Sequence, residues 1–161
     1  MRRRLPVIGI TMGDPAGVGP EIICMALARP QILESARPLV IGDIGILEKA
    51  AAAAGTTPKF IGVAHPGQIP AGSDAISVLN LSCLDPRKHR WARPGRETGQ
   101  AMMDYVERAV EMAKAKQIDA ITTCPINKAA MRLAGGQYPG HTELLARRTE
   151  TRKYAMMMAG D

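Results

Sequence analysis

"GITMGDPAGVGPEI", residues 9–22, decides the reading of this chain. It enters as a short β-branched run, "LPVIGIT" (5–11), and leaves as an apolar periodic segment from Pro20 through Ile22, Ile23, Met25, Ala26 and Leu27. Gly13, Gly17 and Gly19, Pro15 and Asp14 lie between them. Such a strand–loop–helix passage places its loop beyond the carboxyl end of a strand, where open α/β sheets bind ligands. Gly13 and Gly17 let backbone N–H groups approach a ligand closely, and Gly19-Pro20-Glu21 opens a helix whose N-terminus favours negative charge. Two familiar phosphate loops fail against it. A Walker loop requires Gly-Lys five positions after Gly13, where Val18 stands; a dinucleotide fingerprint requires a third glycine at 22, where Ile22 stands. A tight turn with purely structural glycines is the alternative. Asp14 favours function, because a carboxylate at a strand exit can orient a hydroxyl or a cation.

Outward from this stretch, strands alternate with helices. "RPLVIGD" (37–43), "PKFIGVA" (58–64), "AISVLNL" (75–81) and "DAITTCP" (119–125) read as strands, and "KYAMMMAG" (153–160) as a last one. Helices are predicted from Pro20 to before Pro30, from Leu47 to Ala54, from about Glu97 to Lys116, from Lys128 to Ala134, and over "GHTELLARRT" (140–149). The long one presents Met102, Val106, Ala109 and Ala113 on one face. "DPRKHRWARPG" (85–95) reads as a polar loop. Alternation of this kind predicts an α/β fold with a mostly parallel sheet and flanking helices. The sheet reads as unfinished at Asp161, as in an interrupted architecture.

Composition narrows the function classes. The 161 residues suffice for one hydrophobic core, and with aromatics at 3% that core must be aliphatic. The same scarcity argues against the stacking platforms that bind single-stranded nucleic acid. The net charge of +6 suits anionic partners, but the arginines form no continuous stripe, which argues against nucleic acid and leaves phosphorylated metabolites. Cys24, Cys83 and Cys124 show no ligand spacing and read as reduced thiols. No signal peptide or membrane span is read, so the expectation is a cytoplasmic protein with no membrane partner.

Two further stretches carry chemistry. In "TTCPINKAAM" (122–131), Asn127 and Lys128 follow a strand's carboxyl end and can hold a hydroxy-acid or a phosphate; N-capping by Asn127 with a solvated Lys128 is the equal alternative. In "YPGHTELLA" (138–146), His141 and Thr142 stand at a helix start. His141 can donate to an anion, act as acid or base, or ligate a metal, although nothing local supplies a second ligand; a lone histidine is more often a capping or packing residue. His65 and His89 lie in loops without partners and read as surface residues.

In this order and at these separations, "MGDPAGVGPEI", "TTCPINKAAM" and "YPGHTELLA" resemble the 4-hydroxythreonine-4-phosphate dehydrogenase family of pyridoxal phosphate biosynthesis. The likeness runs from Gly9 to the end of the chain. It implies a fold similar to isocitrate and isopropylmalate dehydrogenases, with two α/β domains and a cleft, and a homodimer. It implies oxidation of a secondary alcohol in a phosphorylated hydroxy-acid such as 4-phosphohydroxy-L-threonine, using NAD or NADP, with decarboxylation of the keto product. A divalent metal (Zn, Mg or Co) held by three histidines polarises the reacting oxygen in that family. Relatives act on threonate or erythronate phosphate or on cis-diol acids. Carried over by position, His141 and Thr142 match the substrate-binding pair, and Asp14, Asn127 and Lys128, with Gly13, Gly17 and Gly19, fall in the cleft motifs. Family members run to about twice this length, and their metal-binding histidines lie beyond Asp161. The expectation is therefore an N-terminal portion with no metal site of its own, inactive alone, with a non-catalytic hydroxy-acid- or phosphate-binding fragment as the alternative.

Overall fold

Val7–Thr11, flanked by Pro6 and the turn at Gly13, forms the first strand, β1. The structure, a computed structural model, describes residues 4–157. Four more strands follow: β2 (Arg37–Gly42), β3 (Phe60–Gly62), β4 (Ile76–Asn80) and β5 (Ala120–Thr123). The helices are α1 (Gly19–Leu27), α2 (Pro30–Ser35), α3 (Ile44–Ala53), α4 (Arg96–Lys114), α5 (Lys128–Leu133) and α6 (His141–Arg148), with a 3-10 turn at Pro66–Gln68. All strand pairs are parallel, in the order β3-β4-β2-β1-β5. Gly9 of β1 pairs with Leu39 on one side and Ile121 on the other.

The α/β reading holds, and the order locates the site. Connections after β1 and β2 run toward the β3 edge, whereas α4 carries the chain back over β2 and β1 to β5. Right-handed crossovers then put α1 and α3 on one face and α4 on the other. In agreement, α1 packs on α3, while α4 contacts β1, β2 and β5. The strand order reverses between β1 and β5, so the crevice of this sheet opens beyond their carboxyl ends.

The core is aliphatic. Leu39, Val40 and Ile41 of the central strand are fully buried with Met12, Ile46, Leu47 and Met102, and each such side chain contributes about 1.5–3 kcal/mol by burial. Tyr105 of α4 is also fully buried, and its hydroxyl is hydrogen-bonded to Ser82, which donates to Asp43 Oδ2 at 2.7 Å. Asp43 also caps α3 by accepting from Ile46 N and takes Leu84 N–H at 2.8 Å. One carboxylate thereby ties together the exits of β2 and β4.

Two expectations are corrected. Helix resumes at Pro30, where the pattern predicted an end; α2 buries none of its residues, so it leaves no apolar period to read. The strand predicted at 153–160 does not form over Lys153–Met157, which are exposed and without regular structure, and 158–160 lie outside the described residues. An apolar run becomes a strand only against a sheet edge, and this one meets none among the described residues.

Candidate functional site

At the exit of β1 the close approaches that glycine permits are to the chain's own backbone. Gly13 has φ +74°, and a Cβ there would sit 2.4 Å from the Pro125 carbonyl oxygen. A Cβ on Gly19 would sit 2.2 Å from Met12 O and 3.0 Å from Cys124 Cβ. Both positions weld the β1 exit to itself and to the β5 exit. Asp14 N–H donates to Pro125 O at 3.0 Å, and Cys124 N–H donates to Thr11 O at 3.0 Å. Gly17 is different. It is half-buried, and its nearest neighbour would be Asp14 O at 3.3 Å, a contact that small shifts can relieve. The Asp14 side chain is 3% exposed, and Oδ1 accepts from Ala16 N at 3.0 Å, which fixes the carboxylate within the loop.

A second loop roofs the first. His89, read from sequence as a surface residue, is buried at 8% exposure. Its Nε2 lies 2.9 Å from Pro15 O, and its ring packs edge-on against Trp91 with centroids 4.6 Å apart. Ala92 N–H donates to Ala16 O. Lys49 Nζ donates to Pro86 O and His89 O and lies 6.0 Å from the Trp91 ring. Desolvation holds the His89 pKa below its ordinary value, so the ring is neutral at neutral pH and donates Nε2–H to Pro15. The charged composition of 85–95 hides this packing. The aromatic in "HRW" is the one sequence signal that could have revealed it. His65, in contrast, is exposed as read.

Between the two loops and the β5 exit lies a cavity of about 460 Å³, lined by Asp14, Gly17, Val18, Glu21, Trp91 and Asn127 among others. Its lining offers two carboxylates and an amide and no cation. It therefore suits hydroxyl and ammonium groups and repels a phosphate.

The third and second motifs meet beside it. Asn127 Oδ1 accepts from Ala129 N and Ala130 N at 3.0 Å and caps α5. Lys128 is exposed, and its stem passes 3.9 Å from where a Cβ on Gly140 would stand. The starts of α5 and α6 are thus neighbours. His141 is half-buried, and its Nε2 is buried with no hydrogen-bond partner among the described residues. Desolvation lowers its pKa, which keeps the imidazole neutral. Thr142 follows it in the first turn of α6, which Gly140 caps without a side chain. The structure therefore gathers Asp14, Gly17 and Asn127 in one cavity and brings the Lys128 stem, with the Glu143 carboxylate, to Gly140, which precedes His141 and Thr142, outside its lining. Among the described residues no three His, Cys, Asp or Glu side chains converge as a metal ligand set.

Comparison with known proteins follows the same lines. The family model described as "Pyridoxal phosphate biosynthetic protein PdxA" matches residues 34–161. The chain is 48% identical to 4-hydroxythreonine-4-phosphate dehydrogenase of Desulfosudis oleivorans, over 97% of this chain and 46% of that protein. It is 40% identical to D-threonate 4-phosphate dehydrogenase of Cupriavidus necator, over 96% and 46% respectively. A crystal structure of a 4-hydroxythreonine-4-phosphate dehydrogenase from Burkholderia phymatum superposes with a TM-score of 0.89 at 38% identity, covering 94% of this chain and 46% of that one. The chain spans about half the length of the curated relatives it matches.

Proposed function

Because the chain belongs to the PdxA family of pyridoxal phosphate biosynthesis, we propose that it serves an oxidoreductase that oxidises the secondary alcohol of a phosphorylated hydroxy-acid, 4-phosphohydroxy-L-threonine or a four-carbon relative such as D-threonate 4-phosphate. The observation that supports this best is the unpartnered, buried Nε2 of His141 at the start of α6. A buried polar atom without a partner costs about 1–3 kcal/mol, which a substrate hydroxyl or phosphoryl oxygen would relieve.

In this reading the work divides by charge. The Asp14–Glu21–Asn127 cavity takes the hydroxyl and, for the amino acid, ammonium groups of the substrate. Lys128, His141 and Thr142 take its anionic end. His141 enters neutral, so it carries one ring proton and can donate from one nitrogen while accepting at the other. Thr142 donates its hydroxyl to the same group, and Lys128 supplies positive charge. NAD or NADP, when bound, would accept the hydride, and for the amino acid the resulting β-keto acid would lose CO2. The resemblance adds a divalent metal, for which the described residues form no ligand set. We further place the protein in the cytoplasm as a homodimer, on the same resemblance and on three cysteines that form no disulfide. No helix among the described residues is long and apolar enough to cross a membrane.

Calorimetric titration of the chain with 4-phosphohydroxy-L-threonine and D-threonate 4-phosphate, each beside its unphosphorylated acid, tests the reading. Saturable binding of a phosphorylated acid, weakened about tenfold or more by His141→Ala, is the expected result. Equal binding by parent and variant would remove His141 from the site.

A further inference from the structure

On the other side of the Asp85–Gly95 loop from the Asp14 cavity lies a larger one, of about 610 Å³. The loop turns Trp91, Ala92 and Pro94 toward the first and Lys88, His89, Arg90 and Arg93 toward the second. Arg96, in the first turn of α4, adds a fourth cation. Two carboxylates also line it, Asp85 and Glu97, but Asp85 is already engaged by the guanidinium and backbone N–H of Arg87. The balance is therefore positive, the reverse of the Asp14 cavity.

Two more observations give this charge a focus. The cavity borders the N-terminus of α4, a helix of 19 residues capped by Gly95, which has no side chain to occupy the first N–H groups. A helix start of this kind carries partial positive charge and free donors. Independently, His89 lines the cavity while 92% buried (8% exposed), and its Nδ1 has no hydrogen-bond partner among the described residues. The other nitrogen is held by Pro15 O, so the ring cannot turn to find one.

The geometry points to a phosphate-binding site at the start of α4, formed by Lys88, Arg93 and Arg96 and the free N–H groups of the helix, for a small molecule that carries a hydroxyl on or beside its phosphate, because His89 Nδ1, with the ring proton on Nε2, can only accept a hydrogen bond. Arginine guanidinium groups suit a phosphate because they pair with two of its oxygens at once. The ligand would also meet the loop that roofs Asp14, since His89 and Ala92 hold Pro15 and Ala16 from behind. The inference goes beyond the assignment of His141 and does not depend on it.

Trp91 is the single tryptophan of the chain and packs edge-on against His89, so its fluorescence reports occupancy through that contact. The experiment titrates the chain with inorganic phosphate at constant ionic strength, for the parent, Arg93→Ala/Arg96→Ala and His141→Ala. Both arginines are exposed, so the double variant keeps its fold, which circular dichroism checks. The expected result is a saturable signal, weakened about tenfold or more in the arginine variant and unchanged in His141→Ala. Competition by D-threonate 4-phosphate or by NADP then names the source of the phosphate. No saturable signal up to about 10 mM, or binding lost in His141→Ala and retained in the arginine variant, overturns the inference.

Discussion

The β1 exit and the start of α6 both carry motifs of the same family, yet they are built in opposite ways. At the β1 exit the polar groups of the loop are engaged internally, although the buried Thr11 hydroxyl at the end of the strand has no partner among the described residues. Asp14 holds Ala16, its N–H binds Pro125, and His89 and Ala92 close the loop from above. At the start of α6 the polar groups have few internal partners. Gly140 offers no cap, Lys128 is exposed, and His141 keeps a buried nitrogen with no partner. The contrast separates a loop fixed by its own partners before any ligand arrives from a helix start that leaves a partner unfilled, although both look alike as motifs.

The largest effects should come from the first region. Gly19→Ala and Gly13→Ala each drive a methyl into a carbonyl oxygen, and each should cost about 3 kcal/mol or more in urea unfolding. Gly17→Ala meets only a 3.3 Å contact at an ordinary φ, and should cost under about 1 kcal/mol. Similar losses at 17 and 19 would break the distinction drawn within the loop. His89→Ala should cost about 2 kcal/mol by thermal or chemical denaturation, because it removes a buried ring and leaves Pro15 O unpaired. Asn127→Ala removes the α5 cap, and about 1 kcal/mol is the expected loss in the same assay. Little change there would return Asn127 to a purely binding role.

The smallest effect is one of pH. Burial holds both His89 and His141 below their ordinary 6.5. Above that value folded and unfolded chains are both neutral at these rings. As pH falls, the unfolded chain takes protons that the folded one refuses, so stability declines from about pH 6.5 toward 5. Asp85 and Asp119 are held below 3.8 by hydrogen bonds to Arg87 and to Val7 N–H, so their contribution is lost only at lower pH. Melting temperatures across this range should fall, and His89→Gln, which has no titrating ring, should flatten part of the slope.

Much of this was legible in the sequence. Strand–helix alternation gave the parallel sheet, and the positions of Gly13 and Gly19 marked tight places in the chain. What they are tight against was not legible, because Pro125 and Cys124 come from the exit of a strand more than a hundred residues away. His89 was misread because burial there is tertiary: its partner, Pro15, lies 74 residues back. Asp43 went unremarked for the same reason, since Ser82 and Leu84 reach it from the neighbouring strand exit. That Glu21 lines the first cavity beside Asp14 was likewise not legible, since the two meet only in the folded loop. A pattern along the chain reports what is local; the sign of a cavity depends on which side chains share it.

The central claim is that the free nitrogen of His141 awaits a substrate group. Nitrogen-15 NMR of the imidazole rings, with and without 4-phosphohydroxy-L-threonine, tests it most directly. His141 Nε2 should shift as it gains a hydrogen-bond partner, saturating with the same ligand concentration as the calorimetric signal. A His141 ring that stays unchanged while the ligand binds would contradict it.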